Sequence, residues 1–146
     1  MLQKNTTKRL GYWLVLLHQL FDSATERALS GEQLTRREWQ VLHAVNIGMR
    51  TVSDVDKGLA PFLVEDEMNS YRGVLETFAE RGWVVLDGGS IETTESGVLA
   101  HDRAEVLVNS YASGALEGIT EEEFLATNDV LRRIALNLDP KSVEDN

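Results

Sequence analysis

The sequence predicts a mainly α-helical protein that contains one small β-hairpin. Apolar residues recur at helical spacing over most of the chain. Between Thr51 and Thr94, two helical patterns are followed by two strand-like segments, and the sequence Asp87-Gly88-Gly89 between the strands is typical of a tight turn. Helix, turn, helix and hairpin, in that order, form the outline of a winged helix-turn-helix. We therefore expect this domain, with further helices on both sides of it.

The composition is ordinary for a globular protein and excludes thiol chemistry. Of the 146 residues, 42% are hydrophobic and 26% are charged, and there is no cysteine, so disulfides and thiolate metal sites are excluded. The net charge of −10 argues against a protein that coats nucleic acid non-specifically. The N-terminal segment lacks the features of a signal peptide, and its longest apolar run is far too short for a membrane span. We expect a cytoplasmic protein with no membrane partner.

Three helices are predicted before the second helix of the helix-turn-helix, which is called the recognition helix below. The first runs from Lys8 to Leu29, with a cap at residues 5–7, and its apolar stripe is wide enough to predict contact with a second subunit. The second opens on Thr35 and Glu38, which have capping-box spacing. The third, residues 52–59, is capped by Thr51, and we expect residues 60–61 (Ala-Pro) to break it.

The next helix, predicted at roughly residues 66–81, is the one that would enter a DNA groove. The helical period buries Tyr71, Val74, Leu75 and Phe78 and exposes Asn69, Ser70, Arg72, Gly73, Glu76 and Thr77. Three acids, Glu65-Asp66-Glu67, would open the helix, where they suit the helix dipole but repel phosphate. Strands at residues 83–86 and 90–94 follow.

Two helices are predicted after the hairpin. The first runs from about Gly97 to Ala112, and we expect Ser113-Gly114 to interrupt it. The last runs to Leu138 and opens on the capping box of Thr120 and Glu123. The chain therefore divides into an N-terminal dimerisation helix (1–30), a winged helix-turn-helix domain (31–96), and C-terminal dimerisation helices with a tail (97–146).

Four phrases, at residues 34–42 (LTRREWQVL), 78–84 (FAERGWV), 93–97 (TTESG) and 120–123 (TEEE), resemble, in order, those of the MarR family of bacterial transcriptional regulators. Residues 34–42 (LTRREWQVL) are similar to the family pattern LTxxQWxVL, and residues 78–84 (FAERGWV) to LExRGxV. Residues 93–97 (TTESG) are similar to the exit from the family's wing, and residues 120–123 (TEEE) to the start of its last helix. The resemblance covers residues 8–138. It implies a homodimer, a two-fold symmetric site on double-stranded DNA, and a small aromatic effector bound between the dimer arm and the winged domain.

The sequence departs from that family in its charges. The hairpin has no arginine to enter the minor groove, since no Lys or Arg occurs between Arg81 and Arg103. From Arg36 to Ala100 there are six basic and eleven acidic residues. A second interpretation therefore stays open: a winged-helix protein that does not bind DNA and acts through protein–protein interaction.

Two sets of candidate residues follow from exposure and residue type. For DNA, the phosphate-binding and base-reading candidates are Arg36, Arg37, Arg50, Lys57, Asn69, Ser70 and Arg72. For a ligand pocket, the candidates are Tyr12, Trp13, His18, Trp39, His43 and Tyr111. Plain core packing is the competing role of the two tryptophans.

Catalysis, cofactors and metals find little support in the sequence. No nucleophile elbow, P-loop or dinucleotide-binding turn occurs, so we expect no enzyme and no cofactor. The three histidines are scattered, and the run His101-Asp102-Arg103 is expected to be exposed. We therefore expect no metal site.

Overall fold

The computed structural model describes residues 9–143, which form seven α-helices, a short 3₁₀ turn and one two-stranded antiparallel hairpin. This confirms the predicted fold class. The elements are α1 (Leu10–Leu29), the 3₁₀ turn (Ser30–Glu32), α2 (Arg36–Asn46), α3 (Val52–Gly58), α4 (Ala60–Glu65), α5 (Arg72–Glu80), β1 (Val84–Asp87), β2 (Ser90–Thr93), α6 (Glu95–Ala115) and α7 (Glu121–Leu138). Among these residues no helix has both the length and the hydropathy that a membrane crossing requires.

Local capping rules fix several helix starts. Thr35 and Glu38 form the predicted capping box of α2, and Thr120 and Glu123 form that of α7. The side chain of Thr51 accepts a hydrogen bond from the backbone N–H of Asp54, which starts α3. The predicted cap of the first helix lies in residues 5–7, outside the described part of the chain.

The segment between α3 and the recognition helix differs from its prediction. Helix α3 ends at Gly58, just before Ala60-Pro61, as predicted, but the same two residues start a further helix, α4, that was not predicted. Pro61 lies in its first turn, where a missing N–H costs nothing. The recognition helix is α5 and begins at Arg72, six residues later than predicted. The acids Glu65-Asp66-Glu67 therefore do not open it. They end α4 instead, and Glu67 adopts a positive φ of 55°.

The hairpin is anchored to the start of α3. Strand β1 pairs with β2 in a register that places Asp87 opposite Ser90, so Gly88 and Gly89 make the turn, and Gly88 has a φ of 60°. The backbone N–H of Val52, the first residue of α3, donates to the carbonyl of Gly89 at 2.9 Å, and that of Ile91 donates to the carbonyl of Arg50 at 2.8 Å. These bonds fix the turn, hereafter the wing turn, against the helix-turn-helix.

The core lies where α2, α3, α5, α6 and the hairpin meet. On α5, the predicted inward residues Tyr71, Leu75 and Phe78 are fully buried, and Val74 is half-buried. Other completely buried side chains are Leu29, Val41, Leu42, Val45 and Val55, with Ile91 almost so. This core holds the recognition helix and the wing in one rigid arrangement.

Helix α6 is longer than predicted and starts under a tight constraint. It continues through Ser113-Gly114 to Ala115. At its start, Gly97 packs so closely on the backbone just before β1 that a Cβ built there would lie 2.0 Å from the carbonyl oxygen of Trp83. Only glycine fits at that contact.

The chain forms two compact units, Met1–Tyr111 and Ala112–Asn146. The second contains α7, none of whose residues is buried. Large apolar side chains of α7 are nevertheless exposed: Phe124, Leu125, Val130 and Leu138. The three-segment division made from the sequence stays a prediction.

Candidate nucleic-acid interface

The start of the recognition helix is fixed by a carboxylate from α3. One oxygen of Asp56 accepts a hydrogen bond from the backbone N–H of Tyr71 at 2.8 Å, and the other accepts one from the hydroxyl of Ser70 at 2.7 Å. The Ser70 oxygen in turn accepts from the backbone N–H of Arg72. Ser70 therefore serves first as a capping residue, whereas Asn69 beside it is exposed.

Arg72 joins the recognition helix to the wing turn. Its Nη2 donates to the carbonyl oxygen of Gly88 at 3.1 Å. A guanidinium has five N–H donors, so this single bond leaves others for a ligand. The contact brings a positive charge to a wing turn that has no basic residue of its own.

Two further basic candidates are exposed near this surface. The guanidinium of Arg50 donates to the carbonyl of Val45 at 2.7 Å, while its own backbone carbonyl holds β2. Lys57 is exposed in the last turn of α3. Within residues 9–143, neither Arg50, Lys57 nor Arg72 forms a salt bridge.

The other two basic candidates already have acidic partners. The side chain of Arg36 lies 3.4 Å from Asp22 on α1. Arg37 donates to Asp66 at 2.7 Å, and its guanidinium lies over the ring of Phe62 at 4.2 Å. Both arginine side chains are largely buried. Their contact with phosphate stays a prediction, because a phosphate would have to compete with the acidic partners for the guanidinium groups.

Two of the three acids at the end of α4, Glu65 and Asp66, have partners inside the fold. Asp66 accepts hydrogen bonds from Arg37 and from the hydroxyl of fully buried Tyr71, at 2.7 and 2.8 Å. The hydrogen bond from Arg37 is the main cause that lowers the pKa of Asp66. Burial raises the pKa of Tyr71, and its bond to Asp66 raises it further. Glu65 lies 2.6 Å from His18 and 3.6 Å from Arg37.

The predicted ligand-pocket residues lie in separate places. Tyr12 and Trp13 form an edge-to-face pair on the exposed surface of α1, with ring centroids 5.2 Å apart. His18 contacts Glu65, as above. Tyr111 on α6 bonds through its hydroxyl to buried Thr25 at 2.7 Å.

Trp39 and His43 belong to a stacked cluster that includes a histidine expected at the surface. The rings of Trp39, His43 and His101 lie with centroids 5.2 Å apart in each pair. His101 is only 7% exposed, so its predicted exposure was wrong, because α6 turns that side chain towards α2. Burial, and then the neighbouring imidazole of His101, lower the pKa of His43.

Glu105 lies close to His43 and His101, a grouping that was not predicted from the sequence. The nearest ligand atoms of His43, His101 and Glu105 all lie within 4.8 Å of one another. The four-residue spacing of His101 and Glu105, which puts them on one helix face, was the only signal available from the sequence. The approach of His43 comes from tertiary packing, so the expectation of scattered histidines was wrong for this pair.

Solved structures with the same fold include MarR family transcriptional regulators. CouR from Rhodococcus jostii RHA1, bound to p-coumaroyl-CoA, is 24% identical, with 97% of this chain and 100% of that chain covered and a TM-score of 0.75. A MarR family protein from Mycobacterium tuberculosis in complex with DNA is 20% identical, with 87% and 98% covered and a TM-score of 0.64. MarR from E. coli is 18% identical, with 92% and 98% covered and a TM-score of 0.64.

This chain has the MarR fold. No protein-family model and no curated protein matches its sequence. Within the MarR fold of this chain, α5 lies at the position of the recognition helix, β1 and β2 lie at that of the wing, and Arg72 connects the two through Gly88.

Proposed function

We propose that this chain is a MarR-like transcriptional regulator that binds double-stranded DNA as a homodimer under the control of a small aromatic ligand. The observation that carries the proposal is the contact between Arg72 and Gly88. It supplies the wing turn with the positive charge that its sequence lacks. Such a regulator acts in the cytoplasm.

The arrangement of the acids also supports DNA binding. With α5 starting at Arg72, its first turn presents Arg72 and Gly73 to solvent, and Asn69 is exposed just before it. The helix dipole adds partial positive charge there. Asp66 is occupied by Arg37 and Tyr71, so one of the three carboxylates expected to repel phosphate is neutralised. Phosphate contacts would then fall to Arg50, Lys57 and Arg72.

Exposed apolar surfaces support the homodimer. On α1, the residues Tyr12, Trp13, Leu14, Val15, Leu17 and Leu20 are all at least 45% exposed. Helix α7 has no buried residue in one chain, although it carries a row of large apolar side chains. Apolar surface of this extent is typical of a subunit interface, and a second copy would present the same surface for pairing. A two-fold dimer spaces its half-sites about 34–36 Å apart.

The effector part of the proposal is supported by aromatic side chains at the surface. Tyr12 and Trp13 offer ring faces and edges to an aromatic group. CouR, which shares the fold, was crystallised with p-coumaroyl-CoA, an aromatic thioester. A ligand that prefers one dimer geometry would shift the spacing of the two recognition helices and so change DNA affinity. p-Coumaroyl-CoA is therefore the first probe, with coenzyme A alone as its control.

A DNA titration tests the function. The purified chain is titrated against its own upstream intergenic DNA and against random duplex of equal length, at low and high salt. We expect selective binding to the upstream DNA that weakens steeply with salt. No binding to either duplex at low salt would refute DNA binding. That result would favour the alternative, a protein that acts through protein contacts, which the excess of acidic residues in positions 36–100 supports.

A further inference from the structure

Helices α2 and α6 bring together, beside a tryptophan, three side chains of types that bind metal ions. His43 on α2 and His101 on α6 are 58 residues apart in sequence, yet His43 Nδ1 and His101 Nε2 lie 2.9 Å apart. Glu105 stands one helical turn after His101 on the same face of α6. All three ligand atoms fall within 4.8 Å of one another.

A fourth residue, Asp102, determines which nitrogen of His101 carries the proton and leaves the other free to bind a metal. His101 Nδ1 lies 3.0 Å from a carboxylate oxygen of Asp102. A carboxylate only accepts hydrogen bonds at neutral pH, so Nδ1 carries the proton and Nε2 holds a lone pair directed at His43. Carboxylates commonly orient metal-binding histidines in this way and make them better ligands.

The surroundings of the cluster limit access of water. Trp39 is 8% exposed; its ring stacks on the imidazole of His101 and lies tilted against that of His43, with centroids 5.2 Å apart in each pair. His101 is buried, whereas His43 and Glu105 are half-buried. The cluster therefore has a sheltered inner side and an open side through which an ion can enter.

We propose that His43, His101 and Glu105 form a binding site for a divalent transition-metal ion, with zinc as the best-matched occupant. Two imidazoles and one carboxylate are a known zinc donor set, with a fourth position left to water. Bonds of about 2.0–2.1 Å at tetrahedral angles separate ligand atoms by about 3.3 Å. The two nitrogens are already near that separation, and the carboxylate, within 4.8 Å of them, needs a shift of at most about 1.5 Å.

Binding changes the hydrogen bonding of one histidine. Without metal, His43 Nδ1 donates its proton to His101 Nε2, because the latter is an acceptor. With metal, both atoms turn their lone pairs to the ion, and His43 carries its proton on Nε2 instead. The ion replaces that hydrogen bond by coordinate bonds that link α2 to α6. This proposal does not depend on DNA binding.

The test uses the untagged full-length chain, because a polyhistidine tag would itself bind zinc. After treatment with a chelator, zinc is titrated in competition with a chromophoric indicator, and Co²⁺ is added separately as a spectroscopic probe. We expect one zinc per chain and visible Co²⁺ absorption of the tetrahedral type. Tryptophan fluorescence should change with the same midpoint, since Trp39 contacts both imidazoles.

Matched variants locate the site. His43→Gln and Glu105→Gln should weaken zinc binding by at least about 100-fold, and Asp102→Asn by about 10–100-fold. His18→Gln alters the third histidine, which contacts Glu65 instead, and should bind zinc like the parent. Circular dichroism confirms that each variant is folded. Failure of the parent to bind zinc, or binding by folded His43→Gln as tight as that of the parent, overturns the proposal and leaves a hydrogen-bonded histidine pair only.

Discussion

Arg72 Nη2 lies 3.1 Å from the carbonyl oxygen of Gly88, so the first residue of the recognition helix touches the turn of the wing. We expect Arg72→Ala to weaken binding to the chain's upstream DNA by about 1–3 kcal/mol, if the guanidinium reads a guanine. Its preference for that DNA over random duplex should shrink as well. Fluorescence anisotropy with both duplexes measures the two effects.

Two control variants separate charge from geometry. Arg72→Lys keeps the charge but loses the planar fork, so non-specific affinity should persist while selectivity falls. Arg103→Ala removes the same charge from α6, where the guanidinium bonds to Glu32, and should leave both affinities unchanged. Selectivity equal to that of the parent in Arg72→Ala would remove this residue from the interface.

The pair of Arg37 and Asp66 makes stability depend on pH. Because the pKa of Asp66 is lowered from 3.8 in the folded chain, its stabilisation is fully present above about pH 5 and is lost as the pH falls through the folded pKa. Asp66→Asn should reduce the free energy of unfolding by about 1–3 kcal/mol at pH 7. Urea unfolding of both proteins should show this difference shrinking towards pH 3. A difference that stays constant with pH would contradict the ion pair.

Gly97 and Gly114 lie on the same helix in opposite environments. A Cβ at Gly97 would collide with the backbone of Trp83, which cannot move away cheaply, so Gly97→Ala should destabilise the fold by roughly 2 kcal/mol or more. Nothing lies within 4 Å of a Cβ at Gly114, and Gly114→Ala should stabilise it by about 0.5–1 kcal/mol. Thermal unfolding of both variants checks the opposite signs. Equal shifts would contradict the close contact between α6 and β1.

The unburied apolar row of α7 predicts a dimer that a single charge can weaken. The parent chain should sediment at twice the 16.3 kDa mass of one chain. Leu125 is 58% exposed, so Leu125→Glu should leave the single chain folded while it shifts the mass towards one chain. Ala126→Glu adds the same charge on the side of α7 that carries Glu122 and Arg133, four residues before and seven after it, and should remain dimeric. A parent protein of one-chain mass would contradict the proposed dimer.

Features governed by local rules could be predicted from the sequence. The capping boxes at Thr35 and Thr120 depend on residues three positions apart, and both formed as expected. The inward face of α5 followed from its helical period, and Gly88 made the predicted turn. Each of these depends on neighbours within one or two turns of the chain.

The rest depended on contacts between distant residues. Acids suit a helix start, so the sequence predicts Glu65-Asp66-Glu67 at the start of the recognition helix; in the fold Asp66 bonds to Arg37, 29 positions away. The helix before Pro61 ends as expected, but α4 was not predicted, because a proline can also begin a helix. The approach of His43 to His101 depends on how α2 and α6 pack, which no local pattern contains.

The salt dependence of DNA affinity tests the central proposal most directly, because it counts the phosphates that the protein contacts. The surface in question is formed by the recognition helix and the wing turn, with Arg50, Lys57 and Arg72 as its basic residues. Affinity for the upstream DNA is measured from low to high salt for the parent and for Arg50→Ala, Lys57→Ala and Arg72→Ala. Arg133→Ala on α7, whose guanidinium bonds to Asp129, serves as the control. We expect a linear dependence of log affinity on log salt, with the slope reduced by about 0.9 for each phosphate contact removed and unchanged in the control. A parent protein that does not bind, or a slope that none of the three substitutions changes, would contradict the proposal that this surface binds DNA.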